Sequence, residues 1–384
     1  MNNKVCMVVY QYYPRDHRVR KEAEALARNG FDVEVICLRK PDEKRRDTVG
    51  GVKVLRLPLQ LERSGGMLRY AYQYAMFFAM AAFAVSVEHV RRRFGFVHAH
   101  SLPDFLVFTA AFPKLTGAKV VLDLHEVMPE IYLSKRGLRE KSGMVFRLMV
   151  FLEAISEAYA DRVITVSDTL GDILVGRGLP REKLTIIFNA PDIEKPLPPV
   201  SGGGRKLVYA GTFTEYHDFE LVVAAFAQMK SVELDIYGDG SQTESVRRRI
   251  AEAGLTNVHF KGWVRPEEMK DVLSKYAGTI APFGDSEIAK VALGHKVLET
   301  PLFGLPVVAA DLPGLRAVFD DSCFFYYRAG QTDDFVRAVR SLMSDKDAAR
   351  DKVLRSQEVI EKRGLTWDKI SKRLIELYRK LGNE

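Results

Sequence analysis

The segment His295–Ala310, HKVLETPLFGLPVVAA, carries the residue pair with the clearest chemical use. Lys296 and Glu299 are three positions apart, so a helix would present them on one face. Gly304 then stops that helix, and Pro306 opens a VVAA strand. A lysine meets phosphate as a point charge. A glutamate can accept two hydroxyl donors from one ribose. Without further context the same pair would serve as an exposed surface contact. A second group follows apolar runs in the first half. VVLDLHEVMPE sets His125 and Glu126 just past a buried strand, and FVHAHSLPD sets His98 and His100 at the end of the preceding one. At least one histidine of the second pair should reach the ligand side, with His98 the candidate for the core. In QYYPRDHR, Arg15 and Arg18 stand near a helix start, where N–H groups and the dipole favour anions. A solvated helix start with Asp16 as N-cap accounts for the same residues. YGDGSQTES reads as a turn between a strand and a helix. No G-x-G-x-x-G follows a strand, no P-loop occurs and no histidine pair has metal-ligand spacing on a helix.

The elements that must position these residues alternate along the chain. Strands are expected near Lys4–Tyr10, Asp32–Leu38, Val52–Leu57, Phe96–Ala99, Lys119–Leu124, Arg162–Val166 and Leu184–Phe188. Several are unbroken Val/Ile/Leu runs, as parallel strands covered on both faces require. Helical stretches such as Val19–Asn29, closed by Gly30, lie between them. NAPDIEKPLPPVSGGGRK, with four prolines and three glycines, interrupts the pattern and reads as a linker. Strands resume at Leu207–Ala210, Val232–Tyr237, Val258–Lys261, Thr279–Pro282, Pro306–Ala310 and Cys323–Tyr327. The expectation is an α/β protein of two Rossmann-like, doubly wound domains facing a central cleft: residues 1–190, a linker at 191–205, and 206–364. In such sheets ligands bind beyond the carboxyl ends of the strands.

Composition sets outer limits. With 384 residues and a hydrophobic fraction of 47%, the chain can build two cores. A net charge of +7 favours anionic partners, phosphate groups or an acidic membrane surface. Cys6, Cys37 and Cys323 lack metal-ligand spacing, and a reducing cytoplasm is the simplest compartment. The run Tyr70–Val87, YAYQYAMFFAMAAFAVSV, carries no charge. Its tyrosines, glutamine and many alanines favour a buried helix of the α/β unit over a membrane-surface helix, and either over a true span. Arg69 and Arg91–Arg93 flank it, which suits the surface alternative.

Taken in order, these segments resemble the retaining glycosyltransferases of family 4, which have the GT-B fold. YYPRDHRVRKEAEALARNGFDVEVIC is similar to that family's first loop, helix and second strand. HAHSLPD and VVLDLHEVMPE resemble its histidine segments, and RVITVSDTL and IIFNAPD its next landmarks. VYAGTFTEYHDFELVVAAFAQM, VELDIYGDG and VHFKGWVRPEEM resemble the start of its donor domain. HKVLETPLFGLPVVAA resembles its donor helix, P-x-K-x-x-E-Y-x-x-x-G-x-P-V-V, and TWDKISKRLIELY its terminal helix. The resemblance implies that residues 365–384 pack back on the first domain. It implies that Glu299 binds the donor ribose, that His295, Lys296 and Gly211 lie at the diphosphate or sugar, and that Trp263 and Val264 border the base. His125, with Glu126 beside it, would sit by the transferred sugar, and Arg15, Arg18 and His100 on the acceptor or phosphate side. Where relatives carry Arg and Lys after the first donor-domain strand, this chain has Thr212 and His217. The expected glutamate eight residues before Glu299 falls on Val291, with Glu287 four residues earlier. A clamp of His217, Lys296 and a helix N-terminus is therefore expected on the diphosphate. The implied activity is transfer of a sugar from a nucleotide-sugar to a glycan, glycolipid or lipid-linked acceptor in polysaccharide or cell-surface glycan synthesis. No metal or other cofactor and no nucleic acid would take part, and the enzyme would work in the cytoplasm or on the inner face of its membrane. The rival readings are a non-catalytic partner subunit of the same fold and a sugar-nucleotide 2-epimerase.

Overall fold

The computed structural model describes residues 2–61, 67–136, 143–193, 195–200, 202, 204–265 and 268–384. The chain divides into two compact units. The first comprises Met1–Tyr132, Lys141–Asn189 and Ile370–Glu384; the second comprises Leu133–Glu140 and Ala190–Lys369.

The first unit is built on an eight-stranded sheet: β1 (Lys4–Tyr12), β2 (Asp32–Leu38), β3 (Arg46–Val49), β4 (Val52–Leu57), β5 (Phe96–His100), β6 (Lys119–Leu124), β7 (Arg162–Thr165) and β8 (Leu184–Ile186). The strand order is β3-β4-β2-β1-β5-β6-β7-β8, parallel except for β3 against β4. β1, β2, β5 and β6 are buried almost throughout, which explains their unbroken apolar sequence. β3 was not expected: its RDTV is polar and mostly exposed, an antiparallel edge without an apolar signature.

The second unit holds β9 (Lys206–Ala210), β10 (Glu233–Tyr237), β11 (Val258–Gly262), β12 (Gly278–Ala281), β13 (Val307–Ala310) and β14 (Phe325–Tyr327). Its order, β11-β10-β9-β12-β13-β14, is that of a doubly wound dinucleotide-binding sheet. The order reverses between β9 and β12 here, and between β1 and β5 in the first unit. These switch points are where ligand crevices form in such sheets.

The Pro-rich run begins where the two units divide and is tied to the second: Leu197 N–H donates to Leu302 O at 2.8 Å and Val200 N–H to Gly304 O at 2.9 Å. Prolines lack N–H groups, but the residues between them supply the donors that tie the run to the second unit. The charge-free run Tyr70–Val87 lies in the helix Met67–Arg92, and this helix is not a buried one. Phe77, Ala81 and Val85 are fully buried, yet only 22% of its most apolar window is inside the protein, and Tyr72, Met76, Phe83 and Val90 are exposed. By length and composition this one described helix could cross a membrane.

Candidate active site

In the first unit the site grows from strand periodicity. Side chains two apart on a strand share a face, so Asp123 and His125 project on one side of β6 and its end, and His98 and His100 on one side of β5. Register sets His100 directly opposite Asp123. The helix His17–Arg28, whose N-cap Asp16 accepts from Val19 N–H, brings Arg18 and Glu22 over this face four residues apart.

Asp123 is the hub. Arg18 grips it through Nε–Oδ2 and Nη2–Oδ1, both 2.9 Å, donates from Nη1 to Ile187 O at 2.8 Å, and lies 3.0 Å from Glu22 Oε1. Asp123 Oδ2 is 3.0 Å from His125 Nε2 and 3.2 Å from His100 Nδ1. His98 Nδ1 shares a 2.8 Å hydrogen bond with Tyr378 Oη of the terminal helix Trp367–Leu381.

The charges follow from burial and pairing. Burial works against the charge on Asp123, but Arg18 and His125 outweigh it and hold its pKa well below the usual range. Burial pushes Glu22 up to about 8 despite Arg18, so Glu22 is protonated at neutral pH. His98 and His100 are driven down by burial and are neutral rings. For His125 burial is overcome by Asp123, and its pKa rises. His125 is also the most exposed of the set, at 19%. The group thus delivers one basic imidazole at the carboxyl end of β6, oriented through Nε2 by a carboxylate that is itself fixed by a guanidinium.

One ligand atom each of Glu22, His98, His100 and Asp123 fall within 4.8 Å of one another, the spacing of a metal cage. Arg18 takes both oxygens of Asp123 and contacts Glu22, so the chain's own guanidinium supplies the positive charge there.

The structure corrects the expected role of Arg18. It is 6% exposed and committed to Asp123, so it positions the histidine group and does not reach out to phosphate. Arg15 and Glu126 are exposed on the loops after β1 and β6. The sequence reading missed Asp123. Its signal was a lone carboxylate inside an apolar parallel strand, which is tolerated only with a buried partner.

In the second unit the loops after β9 and β12 meet at the switch point. His217 and Phe283 form an isolated bridge between them, and their rings stack at 5.1 Å. Thr214 Oγ1 is 2.9 Å from His217 Nδ1. Burial lowers the His217 pKa to about 4. A neutral ring there can offer a hydrogen bond and no charge. Gly211 follows β9 and donates its N–H to Tyr237 O at 3.0 Å, while exposed Thr212 accepts from Tyr209 Oη through its carbonyl. Gly238, with φ of +128°, is required there because a Cβ would lie 1.9 Å from Gly211 O.

The helix His295–Leu302 starts beside the same place: a Cβ on its N-cap Gly294 would lie 2.7 Å from Phe283 Cζ. No side chain caps its first turn. Lys296 Nζ bonds Glu299 Oε2 at 2.7 Å, and His295 Nδ1 lies 3.8 Å from that oxygen. Glu299 is 18% exposed and Lys296 44%. The backbone then turns at Gly304, where φ is +82° and a Cβ would lie 2.2 Å from Pro198 O. Trp263, 70% exposed, follows the end of β11, and Val264 packs partly against the Val208–Tyr276 core. Glu287 bonds Lys290 at 3.1 Å behind the Ser286 N-cap. A nearby hollow of about 320 Å³ is lined by His217, Glu215, Asp218, Glu220, Arg249 and Asp285 among others.

Comparison with known proteins follows these halves. The model described as "Glycosyl transferase 4-like domain" matches residues 16–190, and that described as "Glycosyl transferases group 1" matches residues 204–345. The sucrose-phosphate synthase of Thermosynechococcus elongatus is similar in structure, with a TM-score of 0.80, 18% identity and 99% of each chain covered. HepE of Anabaena, solved with UDP and glucose, has a TM-score of 0.71 at 16% identity, covering 98% of this chain and 99% of that one. The GtfA subunit of the UDP-N-acetylglucosamine–peptide N-acetylglucosaminyltransferase of Streptococcus gordonii is 34% identical over 112 residues. That match spans 28% of this chain and 21% of the relative.

Proposed function

The chain belongs to the glycosyltransferases that join a 4-like domain to a group 1 domain, with the GT-B fold, and on that premise we propose that it moves a sugar, with retention, from a UDP-sugar to a glycan or lipid-linked acceptor. The observation that carries this reading is the helix His295–Leu302 at the switch point of the second unit, with an uncapped first turn and the Lys296–Glu299 pair. Glu299 accepts the two ribose hydroxyls. Lys296 and the first-turn N–H groups take the diphosphate. His217 contributes a neutral hydrogen bond, and Trp263 and Val264 border the base. Uracil is favoured because UDP stands in the names of two of the similar proteins.

As the bond between sugar and diphosphate breaks, negative charge builds on the leaving group. Fixed donors aimed at that charge lower the barrier without a metal ion. His125, held through Nε2 by Asp123, contacts the transferred sugar, and Arg15 and Glu126 lie on the acceptor side. The acceptor reading places the enzyme in polysaccharide or cell-surface glycan synthesis, in the cytoplasm and on the inner membrane surface.

A thermal-shift screen of UDP, GDP and ADP and their sugars, run in EDTA, tests the donor. A ligand that binds the folded chain raises Tm by mass action, about 2.7 kcal/mol at a hundredfold excess over Kd. UDP and a UDP-sugar are expected to raise Tm in EDTA. No shift with any nucleotide, or a shift only after a divalent ion is restored, would overturn the reading.

A further inference from the structure

The exposed apolar side chains of the first unit are gathered in one layer. On the helix Met67–Arg92, Tyr72, Phe83 and Val90 are 65%, 74% and 63% exposed. Their spacing of eleven and seven residues keeps them on one stripe. On the helix Met144–Tyr159, Met144, Leu148 and Phe151 are 85%, 54% and 59% exposed at spacings of four and three. Both helices pack on the short helical segment Asp104–Ala110, through Phe78 on Phe105 and Tyr159 on Phe108. The next segment, Ala111–Leu115, ties them together: Phe112 stacks edge-on to His89, and Lys114 Nζ bonds Tyr159 O at 2.8 Å. Leu115 on that segment is 87% exposed.

Charge is sorted across this layer. The carboxylates of the two long helices, Glu88, Glu153 and Glu157, are all buried, at 5%, 1% and 4% exposure. Arg69, Arg91, Arg93 and Arg147 are exposed, at both ends of the first stripe and within the second. A face that hides its acids, shows its arginines and sets large apolar groups between them is complementary to a sheet of anions over hydrocarbon. A protein partner would need no such sorting, and a true span is incompatible with the fully buried Phe77, Ala81 and Val85 on the helix's other side.

We propose that this layer docks the first unit on a bilayer containing anionic lipid, with Phe83, Leu148 and Phe151 entering the boundary between headgroups and acyl chains. The layer lies on the opposite face of the sheet from the Asp123 network. Crossovers between parallel strands are right-handed, so the helices that lead from β4 to β5 and from β6 to β7 cover one face of the sheet, while the helix His17–Arg28, which leads from β1 the other way to β2 and carries Arg18, covers the face of the Asp123 network. Both long helices begin after the carboxyl ends of strands, β4 and β6, and His125 follows β6. Tyr72 and Met144 therefore stand at the same end of the sheet as His125, where a lipid-linked acceptor would arrive from the docked surface. Only that consequence rests on the acceptor reading above; the docking does not.

Vesicle flotation of the full chain tests it, using phosphatidylcholine vesicles with and without about one-third phosphatidylglycerol. The wild type is expected to float with the anionic vesicles and to be released by high salt. The double variant Phe83→Glu/Phe151→Glu is expected to lose at least tenfold in bound fraction, with unchanged Tm and unchanged UDP binding. Wild-type chain that stays unbound on anionic vesicles would overturn the proposal, as would a variant that floats equally well. A wild-type dimer that the double variant splits, without vesicle binding, would assign the face to a second copy instead. Loss of UDP binding in the wild type would count against the donor reading and leave the docking result standing.

Discussion

At the scale of single residues, the first unit's chemistry depends on how one buried carboxylate is held. Arg18 and Asp123 form a pair whose partners are worth more together than apart, since removing either leaves a charge buried. Glu22 beside them carries a proton that the unfolded chain gives up at ~4.3, while the folded chain keeps it to about 8. Between these values the folded state binds the extra proton, so folding stability falls as pH rises through that window. Glu22→Gln keeps a neutral group in place and removes the slope. Its Tm is expected to match the wild type near pH 4 and to exceed it increasingly up to pH 8. Equal pH dependence of Tm in both proteins would show that Glu22 is ionised in the fold. His125 has a different signature. Its partial exposure makes His125→Ala tolerable to the fold, and loss of an oriented donor at the sugar is expected to lower kcat by about 10²-fold with Tm within a few degrees. An unchanged kcat in initial-rate assays would remove His125 from the site.

At the scale of elements, the helix His295–Leu302 is short, and its position rests on its boundaries. Gly294 lets it abut Phe283, and Gly304 lets the chain leave it against Pro198. Gly304→Ala must place a Cβ where Pro198 O already stands and hold a positive φ; a loss of about 2 kcal/mol or more is expected, read as a lower midpoint in urea unfolding. A midpoint within error of the wild type would mean that the turn relaxes freely. This helix was legible in the sequence because Gly304 and Pro306 punctuate it and Lys296 and Glu299 share its face. The helix Met67–Arg92 was legible in extent but not in burial: an apolar, charge-free run looks the same whether it faces a core or an interface, and the sorting of Glu88 inward and Arg91 outward appears only once the helix is packed. β3 was invisible because exposed RDTV has no strand period. Asp123 was overlooked because its meaning lies in Arg18, 105 residues away, and the burial of His217 against Phe283 was not legible because it depends on a loop over sixty positions further on.

At the scale of the molecule, the two sheets share the same reversal of strand order. The alternation of apolar runs and helices gave both sheets from sequence. The fate of the Pro-rich run did not follow from composition, since its ties to Leu302 and Gly304 are made by backbone N–H groups that composition does not locate. Fold similarity persists at 18% identity over 99% of the sucrose-phosphate synthase chain, so the architecture tolerates wide change in sequence. The proposed donor site requires that Glu299 on the second unit hold a nucleotide-sugar through its ribose. Titration calorimetry of UDP into the wild type and Glu299→Ala, with Tm recorded for both, tests it most directly. Loss of charged hydrogen bonds worth about 1.5–3 kcal/mol predicts affinity at least tenfold weaker in the variant at unchanged Tm. Equal affinity in the two proteins would contradict the claim.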